Sequence, residues 1–125
     1  MTVLDRYFEL SDIAGNDQAA FQKLIDCFSS HASVKPAKGE DIHGKQEIEK
    51  FYRAFFLKSK DLRHIWCVSQ NNGVLKADWA VVGRRPDGGL FAFLGEDIAE
   101  TDELGKIKKL VIQFIMMIVA DAYAV

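Results

Sequence analysis

Residues 63–84 read RHIWCVSQNNGVLKADWAVVGR, two runs rich in β-branched and aromatic residues on either side of Asn71-Asn72-Gly73. Side chains of a strand alternate faces, and Asn-Gly between two such runs is a hairpin turn signal. The stretch therefore predicts antiparallel strands over Arg63–Gln70 and Val74–Arg84. Working outward, Pro86-Asp87-Gly88-Gly89 is a second turn, and it leads into a strand over Leu90–Ala99. Thr101-Asp102-Glu103-Leu104-Gly105 is a third, leading into a final strand from about Lys106. Upstream the period changes to that of a helix. Val3, Leu4, Tyr7 and Phe8 share one face of an opening helix that ends near Gly15. Asn16 or Asp17 caps a second helix striped by Phe21, Leu24, Ile25 and Phe28. A short strand over His31–Pro36 and a polar loop over Ala37–Gly44 precede a third helix from Lys45, with Ile48, Phe51, Tyr52, Phe55 and Phe56 on one broad face. Helices first and an antiparallel meander afterwards define an α+β fold whose helices cover one face of the sheet.

The chain has 125 residues, 49% apolar and 27% charged, with a net charge of −2. These values predict one soluble domain over residues 1–125. Lys106-Ile107-Lys108-Lys109 is the densest basic run and reads as the solvated start of a strand, so no nucleic-acid partner is expected. Cys27 and Cys67 form neither a disulfide framework nor a metal quartet; both read as small buried side chains of a reducing, cytoplasmic compartment. The N-terminus lacks a secretory pattern, and the apolar run Leu110–Ala120, which contains Gln113, is too short for a bilayer. No membrane partner, cofactor or metal is expected. Gly88-Gly89 is a turn rather than a phosphate loop, because no helix follows it.

Asp97 is the residue that composition does not explain. It shares a strand face with Phe91 and Phe93, and a carboxylate on an aromatic face is costly unless something there meets it. An apolar pocket would raise its pKa and equip it as an acid, or as a base once ionised. The competing reading is a bulge at Gly95 that turns Asp97 to solvent. His64, in register with Trp66 and Val68, is a candidate relay partner for Asp97, histidine being the side chain that ordinarily titrates nearest neutrality. Trp66 and Trp79 lie on adjacent strands, either as core or interface packing or as the stacking wall of a flat ligand. Tyr52, Phe55 and Phe56 follow helical spacing and read as core first and pocket roof second. The tail Ile115-Met116-Met117-Ile118-Val119 is too apolar for a solvated strand, so it either meets a partner subunit or closes the pocket mouth.

The order of these elements resembles the nuclear transport factor 2-like superfamily, which includes the ketosteroid isomerases and SnoaL-like polyketide cyclases. The resemblance is carried by the loop Gly15-Asn16-Asp17, the helix end Leu24-Ile25-Asp26-Cys27-Phe28 and the strand end Ser33-Val34-Lys35-Pro36. It continues through Gly44-Lys45-Gln46-Glu47-Ile48, the aromatic third helix and the closing Asp97 to Gly105-Lys106-Ile107. It implies a cone-shaped, cystatin-like fold: three N-terminal helices packed on a curved antiparallel sheet, dimerising through the outer sheet face. Tyr7 and Asp97 stand at spacings that resemble the tyrosine and protonated aspartic acid of the isomerases' oxyanion hole. The proton-shuttling aspartate of those enzymes directly precedes the proline of the first strand, a position held here by Lys35. A lysine is ordinarily a cation and cannot serve as that base without a large fall in pKa, which counts against steroid isomerisation.

The resulting expectation is a cavity for a small, mostly apolar molecule, with Asp97, Tyr7 and His64 as catalytic candidates and Trp66, Trp79, Phe93, Tyr52 and Phe55 as pocket walls. The chemistry would be proton transfer next to a carbonyl, of isomerase, cyclase or dehydratase type. The alternative is a non-catalytic dimeric ligand-binding or protein-interaction module.

Overall fold

In the computed structural model, which describes residues 1–119, the elements run α1 (Val3–Ala14), α2 (Gln18–Ile25), β1 (Phe28–Lys35), β2 (Ile42–His43), α3 (Lys45–Leu57), β3 (Asp61–Asn71), β4 (Val74–Arg84), β5 (Leu90–Thr101) and β6 (Ile107–Val119). β6 takes up the late apolar run, whose last residue, Ala120, lies outside the described residues. Local chemistry sets the boundaries. Thr2 caps α1 through a reciprocal box with Asp5, and the Asp17 side chain accepts from the Ala20 amide at the start of α2. Asn72 and Gly73 both have positive φ, 53° and 79°, the two-residue turn that matches the twist of β3 and β4.

The strands form one six-stranded sheet in the order β2-β1-β6-β5-β4-β3. The meander β3 to β6 is antiparallel throughout, but β1 joins β6 in parallel, with Val34 opposite Leu110, so the sheet is mixed. That pairing is non-local, which is why neighbouring turn signals do not announce it. β1 also begins three residues earlier than its sequence pattern suggests, and two residues of the expected loop add the short edge strand β2.

Register in β5–β6 slips at three places, between Ala92 and Phe93, Leu94 and Gly95, and Glu100 and Thr101, each time with an extra residue on β6. Such bulges bend a strand and deepen its twist. The sheet curls around the helices, and its inner face packs at one end into a dense core that includes Leu24, Phe28, Ile107 and Leu110, all at 1% exposure or less. At the other end, α1 and α3 stand off from β4, β5 and β6 and leave a cavity.

Cys27 is buried, as expected, but Cys67 is exposed: the alternation of β3 that turns His64 and Trp66 inward turns Cys67 out. Among the described residues no helix is long and apolar enough to cross a membrane.

Candidate functional site

The cavity measures about 450 Å³, within the range of small-molecule sites. Phe51, Phe55, Val81, Phe91 and Phe93 supply much of its wall. Against this apolar background three polar groups matter.

Asp97 lies in the middle of β5 and is 2% exposed. Its cross-strand neighbours on the inner face are Ala77 and Ile112, neither of which offers a charge or a hydrogen-bond donor from its side chain. Among the described residues its one donor is the indole of Trp79, whose Nε1 reaches Asp97 Oδ1 at 2.9 Å. Trp79 can do so because it stands opposite Gly95 and lays its ring across that residue; a Cβ at Gly95 would collide with the six-membered ring. Gly95 is thus the space for Trp79, and Asp97 is buried rather than turned to solvent by a bulge. Among the described residues the Oδ2 atom has no partner, yet no fully buried side-chain oxygen there lacks one, so this oxygen opens onto the cavity. Burial pushes the Asp97 carboxyl up to about 7; the Trp79 N–H pulls the other way, and Glu96 adds a lesser upward push.

Tyr7 and Tyr52 come from α1 and α3 and meet with their hydroxyl oxygens 2.7 Å apart. Both are buried and both line the cavity. Burial pushes both phenols up, so both keep their protons at neutral pH. Two hydroxyls sharing one hydrogen bond leave one O–H free to donate to a ligand. The Asp97 charge raises both phenols further, though no hydrogen bond joins either to Asp97.

His64 lines the same cavity but belongs to another pair. Asp12 Oδ1 sits 2.8 Å from His64 Nδ1 and also accepts the His64 backbone N–H at 2.9 Å. A proton on Nδ1, donated to the carboxylate, leaves the lone pair on Nε2, the arrangement of a general base. No hydrogen bond links His64 to Asp97. Trp79 stands in contact with both, its ring 6.0 Å from that of His64 and its N–H on Asp97.

Of the expected pocket walls, Trp79, Phe93, Tyr52 and Phe55 border the cavity and Trp66 does not. α1 crosses β3 at that point: Phe8 stacks on Trp66 at 5.4 Å, and Asp5 Oδ1 accepts its Nε1 at 2.9 Å. Lys35 is exposed at the end of β1 and is not a lining residue. Asp12 escaped the sequence reading. Its signal was a charge one helical turn beyond Phe8, on the stripe that otherwise faces the core. Among the described residues no cluster of three or more His, Cys, Asp or Glu could hold a metal ion.

Comparison with known proteins places the fold. The chain is 34% identical to an NTF2-like protein of unknown function from Exiguobacterium sp. 255-15, with a TM-score of 0.81 over 91% of this chain and 98% of that one. The protein therefore belongs to the NTF2-like family. Its fold is shared, at 12% identity and a TM-score of 0.76, by SalBIII, an epoxide hydrolase/cyclase-like enzyme of pyran ring formation in the polyether salinomycin; the match covers 91% of this chain and 88% of that one. It is shared too by a putative polyketide cyclase from Xanthomonas campestris pv. campestris, at 13% identity and a TM-score of 0.77 over 90% and 87% of the two chains. No family model matches the sequence, and no curated protein does.

Proposed function

We propose that the cavity binds a small, mostly apolar molecule and that Asp97 moves a proton at a carbon next to its carbonyl. The observation that carries this reading is a carboxyl held near neutrality by burial, with one oxygen tied to Trp79 and the other open to an apolar space. As an acid it protonates the carbonyl oxygen or an alkoxide leaving group; as a base it takes the α-proton onto its carboxylate and leaves an enolate. The spare hydroxyl of the Tyr7–Tyr52 pair donates to the carbonyl oxygen where negative charge develops. With Lys35 outside the cavity, the second acid–base group is His64, oriented by Asp12. The outcome is isomerisation, cyclisation or dehydration, according to where the enolate reacts.

The test is α-proton exchange of a panel of cyclic ketones in D2O, followed by NMR. Exchange should outpace buffer, follow a titration near pH 7, and vanish in Asp97→Asn. Exchange no faster than buffer, or unaffected by that substitution, would sink the reading.

The outer sheet face supports a homodimer. Ile65, Ala80, Leu94 and Met116 are aligned across four strands, with Ile65 and Met116 exposed at 75% and 57%. Met116→Lys should convert a dimer to a monomer in sedimentation velocity; an unchanged mass would remove this face from consideration.

A further inference from the structure

The charged side chains of the cavity are sorted along its length. Lys38, Lys58, Arg85 and Asp97 line it. The three cations come from three separate places: the segment between β1 and β2, the C-terminal cap of α3, and the residue after β4. Arg85 and the start of β5 mark one end of the sheet. Asp97 lies seven residues into β5 from Leu90, roughly 20 Å along the strand at the usual rise per residue. Lys58 comes two residues before Lys60, whose N–H bonds the Arg84 carbonyl. β1, parallel to β6 and so antiparallel to β5, runs toward that same edge and ends three residues before Lys38. Among the described residues the three cations therefore stand at the rim and the carboxyl of Asp97 lies at the floor. This is not a reflection of composition, because Asp and Glu outnumber Lys and Arg by 18 to 16. Nor, among the described residues, are the two rim lysines held by a carboxylate. Lys45, Lys50 and Lys76 each pair with a carboxylate, whereas no carboxylate of the described residues pairs with Lys38 or Lys58.

We infer that the ligand is an amphipathic anion: an apolar body that fills the cavity, carrying a carboxylate or similar anionic group that stays at the rim between Lys38 and Lys58. The inference rests on the cavity being a ligand site and adds the ligand's charge and orientation. An anion cannot descend to the floor, where it would lose its hydration and meet Asp97. At the rim it keeps part of its water and gains two ammonium groups whose flexible stems can follow it. The reacting end of the molecule is then the end remote from the anion, delivered to Asp97 and to the Tyr7–Tyr52 hydroxyls.

The experiment titrates the protein at pH 8 and low salt with decanoate and, separately, with decanol, following tryptophan fluorescence, since Trp79 borders the cavity. Wild-type protein is compared with the double variant Lys38→Glu/Lys58→Glu. The variant should bind decanoate about tenfold more weakly and decanol equally well, since an exposed ion pair contributes at most about fivefold and two act together. Raising the salt concentration should weaken decanoate binding to the wild type and leave decanol unchanged. Retained decanol binding also reports that the variant is folded. Equal loss of both ligands, or undiminished decanoate binding, overturns the inference while the cavity stands. If neither ligand perturbs the wild-type fluorescence, the cavity reading falls and takes this inference with it.

Discussion

Trp66 and Trp79 face each other across β3 and β4, and each donates its indole N–H to an aspartate oxygen at 2.9 Å, Trp66 to Asp5 and Trp79 to Asp97. The two bonds are alike in chemistry and length, yet the two acids are driven in opposite directions. Asp5 sits in the first turn of α1, where the Thr2 backbone N–H outweighs partial burial and, with the Trp66 and Thr2 side chains, holds its carboxyl below the usual value. Asp97 has the indole alone, and burial carries it up to about 7. What separates a structural carboxylate from a candidate catalyst here is the remaining surroundings, water and amides on one side and apolar wall on the other.

The largest effect that would sharpen this contrast is on stability. Asp97 folds with a pKa above its ordinary 3.8, so its favourable contribution as a protonated acid is complete below about pH 4 and is lost as pH rises to 7. Asp97→Asn, which keeps an acceptor for Trp79, should therefore be more stable than wild type at pH 8 by on the order of 4 kcal/mol and level with it near pH 4. Urea unfolding at the two pH values measures this. A variant less stable at pH 8 would mean that Asp97 is paired as an anion.

An intermediate effect comes from the support beneath the site. Gly95→Ala places a methyl in the Trp79 ring and should cost about 1–3 kcal/mol while pulling the indole off Asp97. Thermal melts and the near-ultraviolet circular dichroism of tryptophan would report both. An unshifted melt would show that Trp79 does not need the space. The smallest effect belongs to the other pair. Asp5→Asn should cost under about 1 kcal/mol near neutrality. Its sign is opposite to that at Asp97: because the folded pKa is lowered, the Asp5 contribution is present above about pH 4 and disappears as pH falls through the folded value.

The same comparison marks how far the residues could be read before the fold. The β3–β4 hairpin was legible because Asn72-Gly73 encodes its turn, and Asp97 was legible because alternation puts an acid among Phe91 and Phe93. Trp66 and Trp79 could not be told apart in that way. Both face inward at paired positions, and only the crossing of α1, which brings Phe8 and Asp5 onto Trp66, removes one of them from the cavity. The Asp12–His64 pair and the β1–β6 pairing were hidden for the same reason: partners 52 residues apart, or a strand meeting one from the far end of the chain, are chosen by packing and leave no local pattern. The role of Gly95, weighed in the sequence only as the site of a bulge, was hidden because its cause is a side chain on another strand.

Carbon-detected NMR of protein labelled at the aspartate carboxyls would follow Asp5 and Asp97 in one titration, with Asp97→Asn assigning the signal. The structure predicts a midpoint near pH 7 for Asp97 and one below 3.8 for Asp5. A midpoint near 4 for Asp97 would contradict the central claim that the cavity keeps this acid poised to give or take a proton at neutral pH.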